Sequence, residues 1–134
     1  MLAFMPDFRI SQVAELLGVS DDTVRRWVST GLLQAVLDES NRQVIDGEQV
    51  AAFARGQLQV SPGRTSARNR LTGIVTQVKT DGIMAQVEIA AGRYRLVSLM
   101  SREAAEELDL KVGTLATAVV KATNVVVEAQ ESHG

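Results

Sequence analysis

Two short segments of the chain combine cations with hydroxyl groups and accessible backbone N–H groups. One is residues 66–73 (SARNRLTG), and the other is residues 120–123 (VKAT), about fifty residues later. Neither segment contains a carboxylate. A set made only of hydrogen-bond donors stabilises a fully charged oxyanion through charge-assisted hydrogen bonds. The pair therefore predicts a site for a small oxyanion, in which each segment lies beside a β-strand.

The composition indicates a folded protein of one or two small domains. Of 134 residues, 46% are apolar and 22% are charged, and no apolar run reaches the ~20 residues that span a bilayer. The first residues lack the features of a secretory signal, and cysteine is absent, so we expect a cytoplasmic protein. The single histidine, His133, stands next to the last residue, and no nucleophile–base pair or metal cluster is visible. We therefore do not expect an enzyme.

Positive charge is concentrated at one place in a chain whose net charge is −2. Residues 61–70 hold three arginines and no acid, whereas the stretches on both sides are acidic overall. Non-specific affinity for nucleic acid comes mainly from cations that neutralise phosphates. The balance therefore argues against strong non-specific binding of nucleic acid.

The first half has the pattern of a helix-turn-helix. Apolar residues recur at helical spacing over residues 13–17, Ser11 is the predicted N-cap, and Gly18 suits the end of the helix. Ser20 then caps a second helix, which carries an apolar stripe formed by Val24, Trp27 and Val28. Two short helices joined by a tight turn with glycine are typical of this motif.

A hairpin and a third helix follow. Residues 34–45 have a polar centre and predict a hairpin, or wing, and Asp46 with Gln49 predicts a capping box that opens the third helix. Through residues 13–20 (VAELLGVS), 23–27 (TVRRW) and 31–33 (GLL), the stretch 8–55 resembles the winged DNA-binding domain of the MerR and excisionase-like proteins.

The resemblance implies contacts to double-stranded DNA. It places three side chains of the second helix at the major groove and one side chain of the wing at the backbone or minor groove. These residues are Thr23, Arg25, Arg26 and, in the wing, Arg42. The alternative is that the arginines of the second helix are ordinary solvated residues. The acidic pair Asp21 and Asp22 would lie near phosphates, so a single copy should bind weakly.

The second half is predicted to be mostly β. After a first domain over residues 1–58 and a linker over residues 59–65, a meander covers residues 71–100 and a short helix capped by Ser101 ends near residue 108. Strands over residues 114–120 and 125–127 precede a tail over residues 131–134. The expected fold class is α+β, with a five-stranded closed barrel of the OB type behind the winged helix-turn-helix.

Residues 66–129 resemble a molbindin, the single Mop or TOBE unit that binds molybdate and tungstate. The matching pieces are residues 66–73, 106–113 (EELDLKVG) and 120–125 (VKATNV), in the order and spacing of that family. The resemblance implies that the oxyanion binds between barrels of a homo-oligomer, which is a dimer or a hexamer. It implies a set of binding residues, to which we add Ser98 from the third strand: Ser66, Ala67, Arg68, Asn69, Ser98, Lys121, Ala122 and Thr123. Thr123 stands where serine is common, and Arg70 where glutamine is usual.

The donor set also distinguishes between anions. Molybdate is a tetrahedral dianion without a proton at pH 7, whereas hydrogen phosphate carries a proton that needs an acceptor, and the two segments supply none. Sulfate has the same charge but shorter bonds, so discrimination would depend on the size of the cavity. Tungstate is nearly isosteric with molybdate.

We therefore predict a regulator in which bound molybdate or tungstate changes DNA binding. One alternative is an oxyanion storage or buffering protein without sequence-specific DNA binding. Another is a DNA-binding or architectural protein whose barrel serves only assembly. The sequence leaves open whether the ligand promotes or releases DNA binding.

Overall fold

The computed structural model describes residues 6–58 and 65–130, and the chain divides into two units, whose described parts are residues 6–58 with Gln130 and residues 65–129. Most of the predicted linker and all of the predicted tail lie outside the described residues. Among the helices of the described ranges, none is long and apolar enough to cross a membrane.

The first unit alternates short strands and helices in the order β1 (Asp7–Arg9), α1 (Ile10–Leu17), α2 (Asp21–Ser29), β2 (Val36–Leu37), β3 (Gln43–Asp46) and α3 (Gly47–Gln57). The strands form an antiparallel sheet in the order β1-β3-β2. The predicted hairpin over residues 34–45 is therefore confirmed.

The helices of the first unit pack through the apolar residues that recur at helical spacing. The buried cluster contains Ile10, Val13, Ala14, Val24, Leu33, Ile45 and Val50. Trp27 packs against this cluster and against Phe53, with ring centroids 4.7 Å apart. The predicted apolar stripe of α2 is confirmed, and Trp27 belongs to the core.

The ends of the helices follow local sequence in most places. Ser20 Oγ accepts the N–H of Thr23 at 3.2 Å, and Gly18 adopts φ 70° at the end of α1. The prediction for Ser11 is wrong, because β1 runs through Arg9 and α1 begins at Ile10. Gln12 instead takes part in capping the start of α1, because its Oε1 accepts the N–H of Arg9 at 2.9 Å.

The second unit is an antiparallel sheet with one helix. Its elements are β4 (Asn69–Thr80), β5 (Met84–Ala91), β6 (Tyr94–Ser101), α4 (Arg102–Glu107), β7 (Leu115–Val120) and a 3₁₀ turn (Ala122–Asn124). The strand order is β6-β5-β4-β7. Val75, Val87 and Ile89 form the buried core, and Ser101 Oγ caps α4 by accepting the N–H of Ala104 at 3.1 Å, as predicted.

The long strand β4 changes partner near Gly73. Its first half pairs with β7 and its second half pairs with β5. At Gly73 the backbones of β4 and β5 approach each other so closely that a Cβ on residue 73 would lie 2.7 Å from the carbonyl carbon of Ala90 and even closer to its carbonyl oxygen. Glycine is therefore required at this crossing, because it has no Cβ.

The predicted strand over Val125–Val127 is wrong for the isolated chain. Residues 125–130 form no strand, and the sheet of the second unit has four strands within residues 65–130. Val126 and Val127 are 90% and 84% exposed, because no strand of the described chain pairs with them. The mixed α and β fold with antiparallel sheets is confirmed, but the five-stranded closed barrel is not formed by the described part of one chain.

Candidate functional site

The pairing of β4 with β7 brings the two predicted segments together. Asn69 pairs with Val120, and Arg70 pairs with Val119. Because the strands are antiparallel, the residues that lead into β4 lie beside the residues that leave β7. Residues 66–68 and 121–123 thus lie at one end of the ladder, although the sequence separates them widely.

Backbone and side-chain hydrogen bonds fix the first of these segments. Asn69 is half-buried, and its Nδ2 donates to the backbone oxygen of Val120 at 3.1 Å. Ala67 is buried, and its N–H donates to Thr65 Oγ1 at 3.2 Å. These contacts give Asn69 and Thr65 positioning roles. Thr65 belongs to the predicted linker, although a threonine two residues before a backbone N–H can form this local turn.

The cations and hydroxyls of the two segments face solvent. Arg68 Nη1 donates to Thr65 O at 3.1 Å, while Lys121 precedes the 3₁₀ turn, where its carbonyl accepts the N–H of Asn124 at 2.9 Å. In residues 6–58 and 65–130, no hydrogen bond or ion pair is recorded for the side chains of Ser66, Lys121 and Thr123. Their donors are available to a ligand.

Ser98 is not connected to this cluster by the β-ladder. It lies on β6 opposite Val87, which pairs with Val78 rather than with the start of β4. No hydrogen bond in the described residues links Ser98 to the two segments. Its role in binding stays a prediction without structural support.

The arrangement suits part of the shell around a tetrahedral anion. Ala122, Thr123 and Lys121 are all exposed, so one chain supplies donors on one side only. No carboxylate occurs in residues 65–80 or 112–127. No group of three or more potential metal ligands from His, Cys, Asp and Glu occurs in the described chain. The chemistry of the site is that of an anion receptor with an open face.

The predicted DNA-contacting residues of the first unit lie on α2 and in the β2–β3 hairpin. Arg25 Nη1 is 3.2 Å from Asp22 Oδ1, and Thr23 Oγ1 forms a hydrogen bond of 2.9 Å with Ser20 Oγ. Arg26 is exposed near the end of the same helix. The helix therefore presents two exposed arginines, one of which is paired with a carboxylate.

The loop of the hairpin is fixed by Asp38. Its Oδ1 accepts the backbone N–H groups of Arg42 at 2.9 Å and Ser40 at 2.8 Å, while Arg42 Nε lies 3.6 Å from Oδ2. The hydrogen bond from the Arg42 backbone is the main cause that lowers the pKa of Asp38, ahead of the Coulombic attraction of that side chain. The hairpin thus holds Arg42 in its loop through a carboxylate.

Gln49 has a different role from the predicted one. Asp46 Oδ1 accepts the N–H of Glu48 at 3.4 Å, but Gln49 does not complete a capping box. Its side-chain oxygen accepts the N–H of Gln34, and its Nε2 donates to Gln34 O at 3.1 Å. This pair of bonds joins α3 to the chain that enters the hairpin.

The sequence matches two protein families. Residues 65–127 match the TOBE domain, and residues 9–44 match the MerR family regulatory protein. Molybdenum-pterin-binding protein 3 of Clostridium pasteurianum is 44% identical over 63 residues, which are 46% of this chain and 93% of that protein. A molybdate binding protein from Sporomusa ovata has a solved structure that aligns with a TM-score of 0.48 and 30% identity, covering 50% of this chain and all of the other.

A third relative matches a longer part of the chain. The molybdenum transport protein ModE of Herbaspirillum seropedicae is 34% identical over 91 residues, which are 67% of this chain and 34% of that protein. The chain therefore spans about a third of the length of its ModE relatives.

Proposed function

Since the chain belongs to the TOBE-domain family of the molybdenum-pterin-binding proteins, we propose that it is a cytoplasmic regulator that binds molybdate or tungstate through its second unit and DNA through its first. The oxyanion lies between the barrels of neighbouring copies. Its binding changes the affinity for DNA.

One observation carries the proposal for the ligand. The ladder between β4 and β7 brings together two segments whose free side-chain groups are donors. Lys121, Thr123 and Ser66 supply an ammonium group and two hydroxyls, and the adjacent backbone adds N–H groups. A proton-free dianion accepts hydrogen bonds from all of these groups, whereas the proton of hydrogen phosphate would need a hydroxyl or a backbone carbonyl as its acceptor, because the segments contain no carboxylate.

The open face of the site supports assembly. In one chain the donors are exposed, and no strand among the described residues pairs with the valines of residues 125–127. We propose that a second copy supplies both the missing wall of the site and a partner for residues 125–127, which then form the fifth strand of the predicted barrel. Burial of these valines stabilises the assembly.

The pattern of α1, α2 and the β2–β3 hairpin supports a winged helix-turn-helix that binds DNA. In a symmetric dimer, two copies of α2 could read the two halves of a palindromic operator. Oxyanion binding regulates this step if it favours one arrangement of the barrels, because a ligand shifts an equilibrium only by its difference in affinity for the two states.

Calorimetric titration of the purified chain tests the ligand. We expect molybdate and tungstate to bind tightly in the presence of excess sulfate, and Lys121→Ala to weaken that binding. Lys79→Ala is the matched control, because Lys79 lies at the far end of β4. Absence of molybdate and tungstate binding by the wild type would exclude the proposed ligands.

DNA selection with and without molybdate tests the regulator. An operator sequence whose affinity changes with molybdate is the expected result. Storage of the oxyanion is the second candidate, and the pairing of Arg25 with Asp22 and of Arg42 with Asp38 favours it. If the chain binds the oxyanion stoichiometrically but enriches no DNA sequence in the selection, then its function is storage and not regulation.

A further inference from the structure

Three cations of the second unit lie on one face of the β4–β7 ladder. Arg70 pairs with Val119 and Asn69 with Val120, where the ladder ends, and the same register extended by one residue would set Arg68 opposite Lys121. Side chains alternate between the faces of a sheet. Arg68, Arg70 and Lys121 therefore share the face opposite to Asn69. The exposure pattern agrees, since Arg70 is exposed while its neighbours Asn69 and Leu71 are half-buried.

The spacing of these cations is close. Residues two apart on a strand are separated by ~7 Å, and diagonal partners on neighbouring strands by ~7–8 Å. Like charges at this separation repel. No acid in residues 65–80 or 112–127 compensates them.

Arg70 differs from Arg68 in its contacts. The guanidinium of Arg68 donates to Thr65 O, which holds it at the start of β4. For the guanidinium of Arg70, no hydrogen bond or ion pair is recorded with any described residue. The outward face of the sheet thus carries a positive charge that no group of the described chain neutralises.

We propose that Arg70 determines the charge specificity of the oxyanion site: its unpaired charge favours doubly charged over singly charged tetrahedral oxyanions. The inference rests on the proposed binding of oxyanions at this end of the ladder. Because a Coulombic interaction is proportional to the charge of the ligand, Arg70 stabilises a bound dianion twice as strongly as a bound monoanion of the same size. Direct contact is not needed, since the interaction extends over a Debye length, about 8–10 Å.

Two substitutions in the full-length chain test this role. Arg70→Gln removes the charge but keeps a polar side chain, and Arg70→Lys keeps the charge. Each variant is titrated with molybdate, a dianion, and with perrhenate, a tetrahedral monoanion of similar size, at two ionic strengths. Molybdate affinity of Arg70→Gln should fall roughly three- to tenfold at low salt, and perrhenate affinity by about the square root of that factor. Arg70→Lys should bind both ions as the wild type does, and raising the salt should reduce the difference.

Lys79→Gln is the matched control, because it makes the same change of net charge near the other end of β4. Equal losses for molybdate and perrhenate in Arg70→Gln, or equal losses in Arg70→Gln and Lys79→Gln, would overturn the inference. In either case the wild type still binds molybdate, so the proposed function stands. A wild type that binds no oxyanion overturns both.

Discussion

The side-chain amide of Asn69 donates a hydrogen bond to the backbone oxygen of Val120 across 3.1 Å, at the position where these two residues pair in the β4–β7 ladder. The bond fastens the start of β4 to the end of β7. It therefore sets the distance between the two donor segments, and the amide of Asn69 is engaged within the protein.

Asn69→Ala should weaken both the fold and the site. The loss of one partly buried hydrogen bond costs about 1 kcal/mol of unfolding free energy. Molybdate affinity should fall as well, because the second donor segment loses its attachment. Chemical denaturation and calorimetry measure the two effects.

Thr72→Val is the control for this variant. It removes the hydrogen bond of 2.9 Å between the exposed hydroxyls of Thr72 and Thr117 in the same ladder. We expect a smaller change in stability and unchanged molybdate affinity. If Thr72→Val lowers the affinity as much as Asn69→Ala does, then Asn69 has no special positioning role.

Gly73→Ala should strongly destabilise the second unit. The new methyl group would collide with the backbone of Ala90, which cannot move without separating β4 from β5. Such overpacking typically costs about 1–3 kcal/mol, and more where backbone must shift. Denaturation followed by circular dichroism measures the loss.

Gly82→Ala provides the comparison, since a Cβ at Gly82 meets no atom within 4 Å. Its stability should stay within about 0.5 kcal/mol of the wild type, as for most surface substitutions. Similar stabilities for Gly73→Ala and Gly82→Ala would contradict the close approach at residue 73.

Local sequence predicted most of the helix ends. The caps Ser20 and Ser101 bond to N–H groups three residues later, so their role depends only on neighbouring residues. The same rules predict an N-cap at Ser11 and a capping box with Gln49, and both predictions are wrong. The start of α1 is set by the sheet that contains Arg9, and Gln49 bonds to Gln34, fifteen residues away. These contacts depend on tertiary structure.

The candidate site, like the helix ends, could be predicted from the sequence only in part. The residue types identified the two donor segments, but their wide separation did not indicate which residues of β4 and β7 pair. Only the pairing of Asn69 with Val120 brings them together and shows that the Asn69 amide is engaged. The predicted meander over residues 71–100 and the predicted strand over residues 114–120 correspond to the four strands β4–β7. For Val125–Val127, a β-prone composition was insufficient, because a strand also needs a neighbour.

Asp22→Asn should tighten the binding of DNA by the first unit. The carboxylate holds Arg25 at 3.2 Å and would lie near phosphates in the proposed complex. Its neutralisation frees Arg25 and removes repulsion, so we expect a gain of roughly two- to fivefold at low salt and a steeper dependence on salt. Fluorescence anisotropy with duplex DNA measures the affinity.

Glu103→Gln makes the same change of net charge in the second unit, on the first turn of α4. It should have little effect on DNA affinity. Asp22→Asn also removes a favourable charge from the start of α2, so a small loss of stability should accompany the tighter binding. Equal affinities for Asp22→Asn and the wild type would contradict a role of α2 at the DNA.

Lowering the pH should destabilise the loop of the hairpin, because Asp38 then becomes protonated. Because the folded chain lowers the pKa of Asp38 below 3.8, the ionised carboxylate stabilises the fold at higher pH. This contribution is lost as the pH falls through the lowered pKa. The amide resonances of Ser40 and Arg42, which donate to Asp38, should titrate together with a midpoint below 3.8. Asp38→Asn should abolish this titration, and a midpoint above 3.8 would show that the loop does not hold the carboxylate.

Val126→Lys should disrupt assembly while leaving the single chain folded. Val126 is 90% exposed in one chain, so its replacement removes no packing there, whereas a lysine cannot be buried against a second copy without a large desolvation cost. Analytical ultracentrifugation should show at least tenfold weaker self-association, together with weaker molybdate binding, because a second copy forms one wall of the site. Val36→Lys introduces the same charge at an exposed valine of the first unit and should leave both properties unchanged. If the wild type is monomeric at micromolar concentration and Val126→Lys binds molybdate equally well, then one chain forms the complete site and the proposed assembly is wrong.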